Sequence, residues 1–540
     1  VGRDRSVTRR SFLRGSVVVG GASLLAACAP GAAPVPVQPT PPPTPATTGG
    51  ARQYPINHTP SGTLTWAGLG VAATMDPHNQ SPSINDIGVR MVFDALLTVN
   101  KQGEVVPVLA ESYRNIDTLT WEFKLRPGVT FASGRPVTAE AVQWNFERVN
   151  DVANRLFIRS RIPTYEKTEI VDATTVRFKT VSPDPIWPRR MLNVVIADPA
   201  EAARLGADFS ANPGPNAGSG LFRMTEFESG NRIVLEASRG WRGTPRLQRV
   251  VLRAIPDPAA IAAGLRTGEV DLAYLGADQA EALQRAGLVL VRNPQASVYE
   301  FWVQTTKGGP LGDRRVRLAM NHAVDRDAIV KNLYGGAGTP LGQRVGSDGF
   351  GFNPNLRPYA YDPARARQLL AEAGYAGGFE TSVDLPIGSA ILTPFTTACV
   401  GYWNEIGIRV QQLPSEVNVF QQRVLTGDGS LPLIAIGTQY GPAMDADFTL
   451  NWASGRLTPA AAVRYDNPEF DQVLAASRQE FDTDKRRALL QRALEILHND
   501  AATIPIMQPQ ENWLHTPRVR GFVPHPTSLG WVDWQDVAVS

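Results

Sequence analysis

Cysteine is nearly absent from this chain. Among 540 residues only Cys28 and Cys399 occur, which excludes a disulfide framework and a thiolate metal cluster. Histidine is also scarce: His58, His78, His322, His498, His515 and His525 show no close ligand spacing. No metal site is assigned, and one assembled from distant residues is the alternative. Net charge is lacking too, with 53 Lys and Arg against 51 Asp and Glu. The arginines are scattered beside acids, as Arg314, Arg315 and Arg317 are beside Asp313. That reads as a solvated surface rather than a phosphate-binding stripe, so no nucleic acid is expected as a partner. Signature motifs of enzyme chemistry are missing as well. No GxGxxG opens a helix, and there is no GxxxxGK[ST], GxSxG or HExxH. Gly68-Leu69-Gly70 is only a turn-sized fragment. No catalytic residue and no cofactor is assigned, and the chain reads as a non-enzyme.

What is present begins at the N-terminus. Thr8-Arg9-Arg10-Ser11-Phe12-Leu13-Arg14 precedes a small, weakly polar run from Gly15 to Ala27, which ends in Leu25-Ala26-Ala27-Cys28. This run is too short to cross a hydrocarbon core of about 30 Å as a helix. Basic residues, a short apolar stretch and small residues before a boundary describe an export peptide. A buried first helix is the competing reading, opposed by Pro30, Pro34, Pro36, Pro39 and Pro41 to Pro43. Thr8 to Leu13 resembles a twin-arginine export signal, and Leu25 to Cys28 resembles the lipobox of bacterial lipoproteins. That resemblance implies export in a folded state, cleavage before Cys28 and lipidation of Cys28. The implied location is the cell membrane, with the body facing the periplasm or the extracellular side. Residues 1–28 are thus the signal. Residues 29–54, rich in Pro, Thr, Ala and Gly, form a tether with little to bury.

From Gly62 onward short strands alternate with helices. Gly62 to Ala67 reads as a strand, and Thr118 to Leu125 alternates with Leu119, Trp121, Phe123 and Leu125 on one face. A helix is predicted from Thr138, its cap, to Val149, with Ala139, Val142, Phe146 and Val149 on one side. A second is predicted from Arg314 to Tyr334, capped by Asp313 and stopped at Gly335-Gly336. A third has Asp362 as cap, Pro363 in its first turn, and Gly374 as terminator, with Ala366, Leu369, Leu370 and Ala373 apolar. These elements predict mixed α/β lobes. The cluster Asp325-Arg326-Asp327 reads as surface ion pairing rather than catalysis. Asp445 and Asp447 share one face of an extended strand and are the one candidate acid/base pair, without a nucleophile beside them.

Collinear segments then carry a resemblance. They are Val106 to Ser112, Trp121 to Phe131, Gly134 to Val142, Gly218 to Phe222, Leu265 to Asp271, Val316 to Arg326, Tyr361 to Gly374 and Ile406 to Ile408. Over Gly62 to Asp536 the chain resembles the bacterial family 5 extracellular solute-binding proteins, the group of dipeptide, oligopeptide and nickel receptors. Ala132-Ser133 departs from the His-Asp usual in that family, at a turn expected to support the fold. The resemblance implies a two-lobed α/β receptor with an enlarged first lobe, 55–305, a second lobe, 306–509, and a C-terminal return, 510–540. It further implies a monomeric receptor that closes on a small solute and delivers it to the permease of an ABC importer.

Peptide is the leading solute class. Peptide receptors of this family place a Trp and an Asp just before the segment matched by Asp445 to Phe448, and the Asp pairs with a peptide ammonium. The resemblance implies that Thr438 replaces the Trp and Pro442 stands near the Asp, which removes that ammonium contact. Gln439 and Tyr440 are then expected to orient a neutral polar group, and Asp445 or Asp447 to supply a cation contact if the loop shifts. Alternatively, the aspartates cap or support the segment that follows. An oligosaccharide, an opine-like compound, a modified peptide or a metal complex is the alternative ligand, and a secreted hydrolase the alternative function.

Overall fold

Leu64 and Trp66 turn one face of the strand Ser61–Gly68 into the core, and both are fully buried. The computed structural model describes residues 54–79, 87–387, 389, 392–426, 432–441, 443–454, 465–525 and 531–540. Cys28 and the tether up to residue 53 lie outside the described residues. Parallel neighbours flank Ser61–Gly68 on both sides, Leu247–Ala254 and Leu272–Tyr274. Arg232–Ala237 and Phe222–Glu228 extend the sheet antiparallel beyond the first of them.

The strand Thr503–His515 joins the two lobes. Its C-terminal half pairs with Leu272–Tyr274 and Val289–Pro294 in the first lobe. Its N-terminal half pairs with Ser297–Val303, and beyond that come Leu433–Gln439, Phe379–Pro386 and Ile408–Ser415 in the second. The chain therefore changes lobe at Gln295–Ala296 and again near Gln508–Gln510. The first passage lies earlier than residue 305, because Ser297–Val303 is bonded on both sides within the second lobe's sheet. Each lobe has its own core, one around Leu64, Trp66, Val250 and Trp513 and the other around Phe301, Val316, Phe395 and Trp403.

The enlarged part of the first lobe is an antiparallel sheet in the order Ala110–Asp117, Thr120–Leu125, Thr175–Thr180, Tyr165–Asp172. Helix Ala139–Asn150 packs on it, with the Thr138 hydroxyl accepting from the Ala141 N–H. Ala139, Val142, Phe146 and Val149 are all fully buried, in the spacing that the sequence predicts. Burying a side chain such as Phe146 stabilises the fold by roughly 1.5–3 kcal/mol. Leu119 belongs to the turn and is half exposed, unlike Trp121, Phe123 and Leu125. The Ala132-Ser133 turn is structural: its N–H groups donate to Gly218 and Asn216, and the Ser133 hydroxyl donates to Asp198 at 2.6 Å. Gly218 and Gly220 are required beside it, since a Cβ there would lie 2.0 and 2.5 Å from the carbonyl oxygens of Val92 and Met91.

The expected helix from Arg314 to Tyr334 is two helices, Arg314–His322 and Arg326–Leu333. Asp325 starts a new N-terminus by accepting from the Ala328 N–H at 2.9 Å. The Arg326 guanidinium turns back to bond the Asn321 carbonyl, at 2.9 Å, and the Asn321 side chain, at 2.7 Å. Orphan carbonyls at the end of the first helix thus find a donor inside the chain. Arg326 and Arg317 are buried and bond backbone carbonyls, so the surface ion pairing expected here is confined to their neighbours, as in Arg315 with Asp313 at 2.6 Å. Helix Pro363–Glu372 has its predicted Asp362 cap, and Gly374 follows at a φ of 88°. Among the described residues no helix is long and apolar enough to cross a membrane.

Candidate functional site

A cavity of about 810 Å³ opens where the lobes face each other, and both supply its walls. A second cavity, about 350 Å³, is confined to the first lobe around Arg90, Asp94, Arg242 and Trp531 and shares no described residue with the first. A site that must open and close on a solute is built from two bodies, so the interlobe cleft is the candidate.

Asp184 organises the first-lobe wall. It is buried, accepts from Thr164 and Arg190, each at 2.5 Å, and takes the Ile186 N–H at 3.3 Å. The loop carrying Pro183, Pro185 and Ile186 is thereby fixed at the cleft. On the second-lobe side, strand Leu433–Gln439 brings Ile436 to Gln439 to the cavity, and helix Ala446–Asn451 adds Asp447, Phe448 and Asn451. Positions i, i+1 and i+4 lie on neighbouring rows of one helix face, so all three can reach the cleft. Asp445 starts this helix by accepting from the Asp447 N–H at 3.0 Å.

Charge in the cleft is largely paired. Arg486 meets Asp445 through two bonds of 2.7 and 2.9 Å. Arg478 donates to Asp447 at 2.6 Å and to Asn451 at 2.7 Å. Burial opposes ionisation of Asp447, but Arg478, helped by Arg190 and Arg486, outweighs it and holds the carboxyl below its ordinary range. Arg161 reaches across from the first lobe, its guanidinium 4.8 Å from the Phe448 ring centre. Burial pushes Arg161 down to about 10, still protonated at neutral pH.

The floor hides a further carboxylate. Glu300 is fully buried, with Arg344 at 2.9 Å. Its Oε1 accepts from the Trp302 indole at 2.8 Å and from the Thr438 hydroxyl. Trp302 and Thr438 both line the cleft, and the Trp302 ring stacks on Trp452 with centres 6.1 Å apart. One buried acid therefore sets the orientation of two lining side chains.

The four residues singled out in the sequence separate here. Gln439 is exposed and lines the cleft, and Asp447 lines it while paired with Arg478. Asp445 lies behind the wall, 1% exposed, as helix cap and partner of Arg486. Tyr440 is 0% exposed. Its hydroxyl donates to Asp348 at 2.6 Å and accepts from Gln508 at 2.9 Å, within the second lobe. Neither Tyr440 nor Asp445 is among the residues around the cavity. Pro442 lies outside the described residues. Sequence reasoning missed Arg161, Asp184, Arg190, Trp302, Phe448, Trp452 and Arg478. Of these, only the loop Ser182-Pro-Asp-Pro-Ile-Trp-Pro-Arg-Arg190 carried a signal, a Pro-rich connection of the kind that bears function.

Comparison with known proteins agrees with this architecture. The description "Bacterial extracellular solute-binding proteins, family 5 Middle" matches residues 104–456. The glutathione-binding protein GsiB of Pectobacterium atrosepticum is 26% identical over 473 residues, which cover 84% of this chain and 90% of that protein. The periplasmic binding protein DppA of Helicobacter pylori, solved in complex with the peptide STSA, matches with a TM-score of 0.73 at 25% identity, covering 88% of this chain and 98% of that one. NikA of Brucella suis, solved with Fe(III)-EDTA, matches with a TM-score of 0.79 at 23% identity, covering 89% and 100%. The two-lobed α/β fold, the cleft between its lobes and the matched span together place this chain in the bacterial extracellular solute-binding proteins, family 5.

Proposed function

We propose that this protein captures a peptide or a related small solute in the interlobe cleft and hands it, chemically unchanged, to the permease of an ABC importer. The observation that carries this reading is the cavity of about 810 Å³ walled by both lobes, with the continuous strand Thr503–His515 joining them. Residues 55–294 and 510–540 form the first lobe in this reading, and 297–508 the second. Gln439, Trp302 and Arg161 contact the solute, Asp447 holds Arg478 at the cleft, and Tyr440 and Asp445 support the second-lobe wall. The acid/base reading of Asp445 and Asp447 is disfavoured by their arginine partners, which occupy both carboxylates. The residues before Cys28 support anchoring through a lipidated Cys28, and the Pro-rich tether gives the body room to meet its permease.

A solute that binds only the folded state stabilises it by RT ln(1 + [L]/Kd), about 2.7 kcal/mol at a hundredfold excess over Kd. Thermal unfolding with and without a candidate solute, followed by chemical recovery of that solute, tests the receptor reading. Protection with the solute recovered intact supports it, and steady release of a product contradicts it. Mass spectrometry of the N-terminal fragment from membranes tests the anchor separately: a diacyl or triacyl Cys28 supports it, and an unmodified chain contradicts it.

A further inference from the structure

Glu300 and Trp302 stand two apart on strand Ser297–Val303, so their side chains leave the same face of the sheet. Antiparallel pairing sets Glu300 opposite Ile436 and Val298 opposite Thr438, which brings Ile436 and Thr438 to that face as well. The Trp302 indole N–H is shared between Glu300 Oε1 at 2.8 Å and the Thr438 hydroxyl at 3.0 Å. Arg344 donates from Nε to the same Glu300 oxygen at 3.0 Å, and its guanidinium carbon lies 5.2 Å from the Trp302 ring centre. The Trp452 ring stacks on Trp302, tilted by 25°. Trp302 is 3% exposed, whereas Trp452, at the end of helix Ala446–Asn451, is half-buried, and both line the cleft. Val424 and Ile436 belong to the same apolar cluster and line the cavity too.

From this arrangement we infer that the cleft takes a solute with an aromatic ring, which lies against Trp452, and that Glu300 is the positioning residue for that contact. The inference rests on the receptor reading above and names the chemical class of the solute at that site. A flat ring gains from stacking on tryptophan beyond the area it buries. A platform already held in place also costs the solute less ordering when it binds. A buried acid–arginine pair such as Glu300 and Arg344 contributes little net stability compared with apolar side chains of the same volume. What it adds here is direction, because it fixes the N–H edge of Trp302 and thereby the plane on which Trp452 rests. The aspartates that line the cleft do not call for a cation instead, since Asp184 is engaged by Arg190 and Asp447 by Arg478.

The test is calorimetry on the full-length chain with the tripeptides Ala-Phe-Ala, Ala-Ala-Ala and Ala-Lys-Ala, and with Ala-Phe-Ala whose ring is reduced to cyclohexyl. The phenylalanine form is expected to bind about tenfold more tightly than the alanine and lysine forms. It should exceed the cyclohexyl form, which has the bulk without the π face, by about threefold. Trp452→Leu should abolish that last ratio. Glu300→Gln should reduce it, a change that lowered stability alone would not produce. If Glu300→Gln melts below the assay temperature, Trp452→Leu, at a half-buried position, decides. Equal binding of the phenylalanine form and any of the others, tighter binding of the lysine form, or a ratio unchanged in either folded variant overturns the inference and leaves the receptor reading intact. If none of the four binds, the solute that co-purifies with the protein decides: near-ultraviolet absorbance of an aromatic ring supports the inference, and its absence overturns it. No saturable binding together with no co-purifying solute overturns the receptor reading and this inference with it.

Discussion

Arginine is used in opposite ways in two regions of the second lobe. Around the paired helices Arg314–His322 and Arg326–Leu333, Arg317 and Arg326 are buried against backbone carbonyls. Arg317 donates to Leu311 and Gly312 at 3.0 and 2.9 Å and to Asp500 at 2.8 Å. Arg326 donates to Pro505 at 2.7 Å and to Asn321 at 2.9 Å. Burial dominates both groups, lowering Arg317 and taking Arg326 down to about 10. At the cleft, Arg478 and Arg486 face carboxylates instead. The first pair ties chain ends and helix ends together and leaves nothing to offer a ligand. The second pair holds carboxylates that a ligand cation would otherwise use. Residue type alone does not distinguish these roles; the partner does.

The contrast breaks most readily at Arg326. Arg326→Met removes the donor from several buried carbonyls at once and is expected to cost about 4 kcal/mol in urea unfolding. Solute affinity of the folded fraction should be unchanged. A loss under about 1 kcal/mol would contradict the structural role given to this group.

A third arrangement extends the comparison to the first lobe, where Arg148 bonds Asp76 at 2.7 and 3.0 Å and His78 Nδ1 at 2.7 Å. His78 accepts there, so its Nε2 carries the proton donated to the Val195 carbonyl at 2.8 Å. Burial first, then Arg148, lowers His78 to about 4, against the opposing pull of Asp76. The unfolded chain binds a proton near pH 6.5 and the folded chain only near pH 4. Stability from this group is therefore complete above about 6.5 and is lost as pH falls toward 4, by about 3 kcal/mol in total. Urea unfolding of the wild type and His78→Gln from pH 7.5 to 4 should show the slope in the former and a flatter profile in the latter. Parallel profiles would remove His78 as its source.

Asp447→Asn sharpens the cleft side of the comparison. It frees Arg478, which is partly exposed, so the stability loss should be only about 1–2 kcal/mol. Affinity for an anionic probe should rise, and a fall would show that the carboxylate itself meets the solute. The smallest effect belongs to the surface: Arg114→Ala breaks its 2.6 Å pair with Glu122 and should cost less than about 1 kcal/mol. A larger loss would mean that exposed and enclosed arginines are not energetically distinct here.

Local features of the fold are legible in the sequence. Thr138, Asp362 and Pro363 act within one turn of themselves, and the apolar row from Ala139 to Val149 repeats at the helical period. The break at Ala323–Asp325 was not legible, because Arg326 finds Pro505 far along the chain and periodicity carries no such partner. The cleft was harder still. Asp445 and Arg486, or Glu300 and Arg344, are joined only by folding, so a carboxylate that looked available for a cation is already occupied. Tyr440 has the chemistry of a ligand contact, yet its hydroxyl is bonded to Asp348 and Gln508. The first-lobe wall, with Arg161 and Asp184, meets the second-lobe residues only when the two lobes are brought together.

Native mass spectrometry of gently purified protein tests the central claim most directly. The account predicts one small solute per chain, released with unaltered mass on denaturation and absent after Trp302→Ala combined with Arg161→Gln. A solute retained by that double variant, or a bound molecule converted to product during incubation, would contradict it.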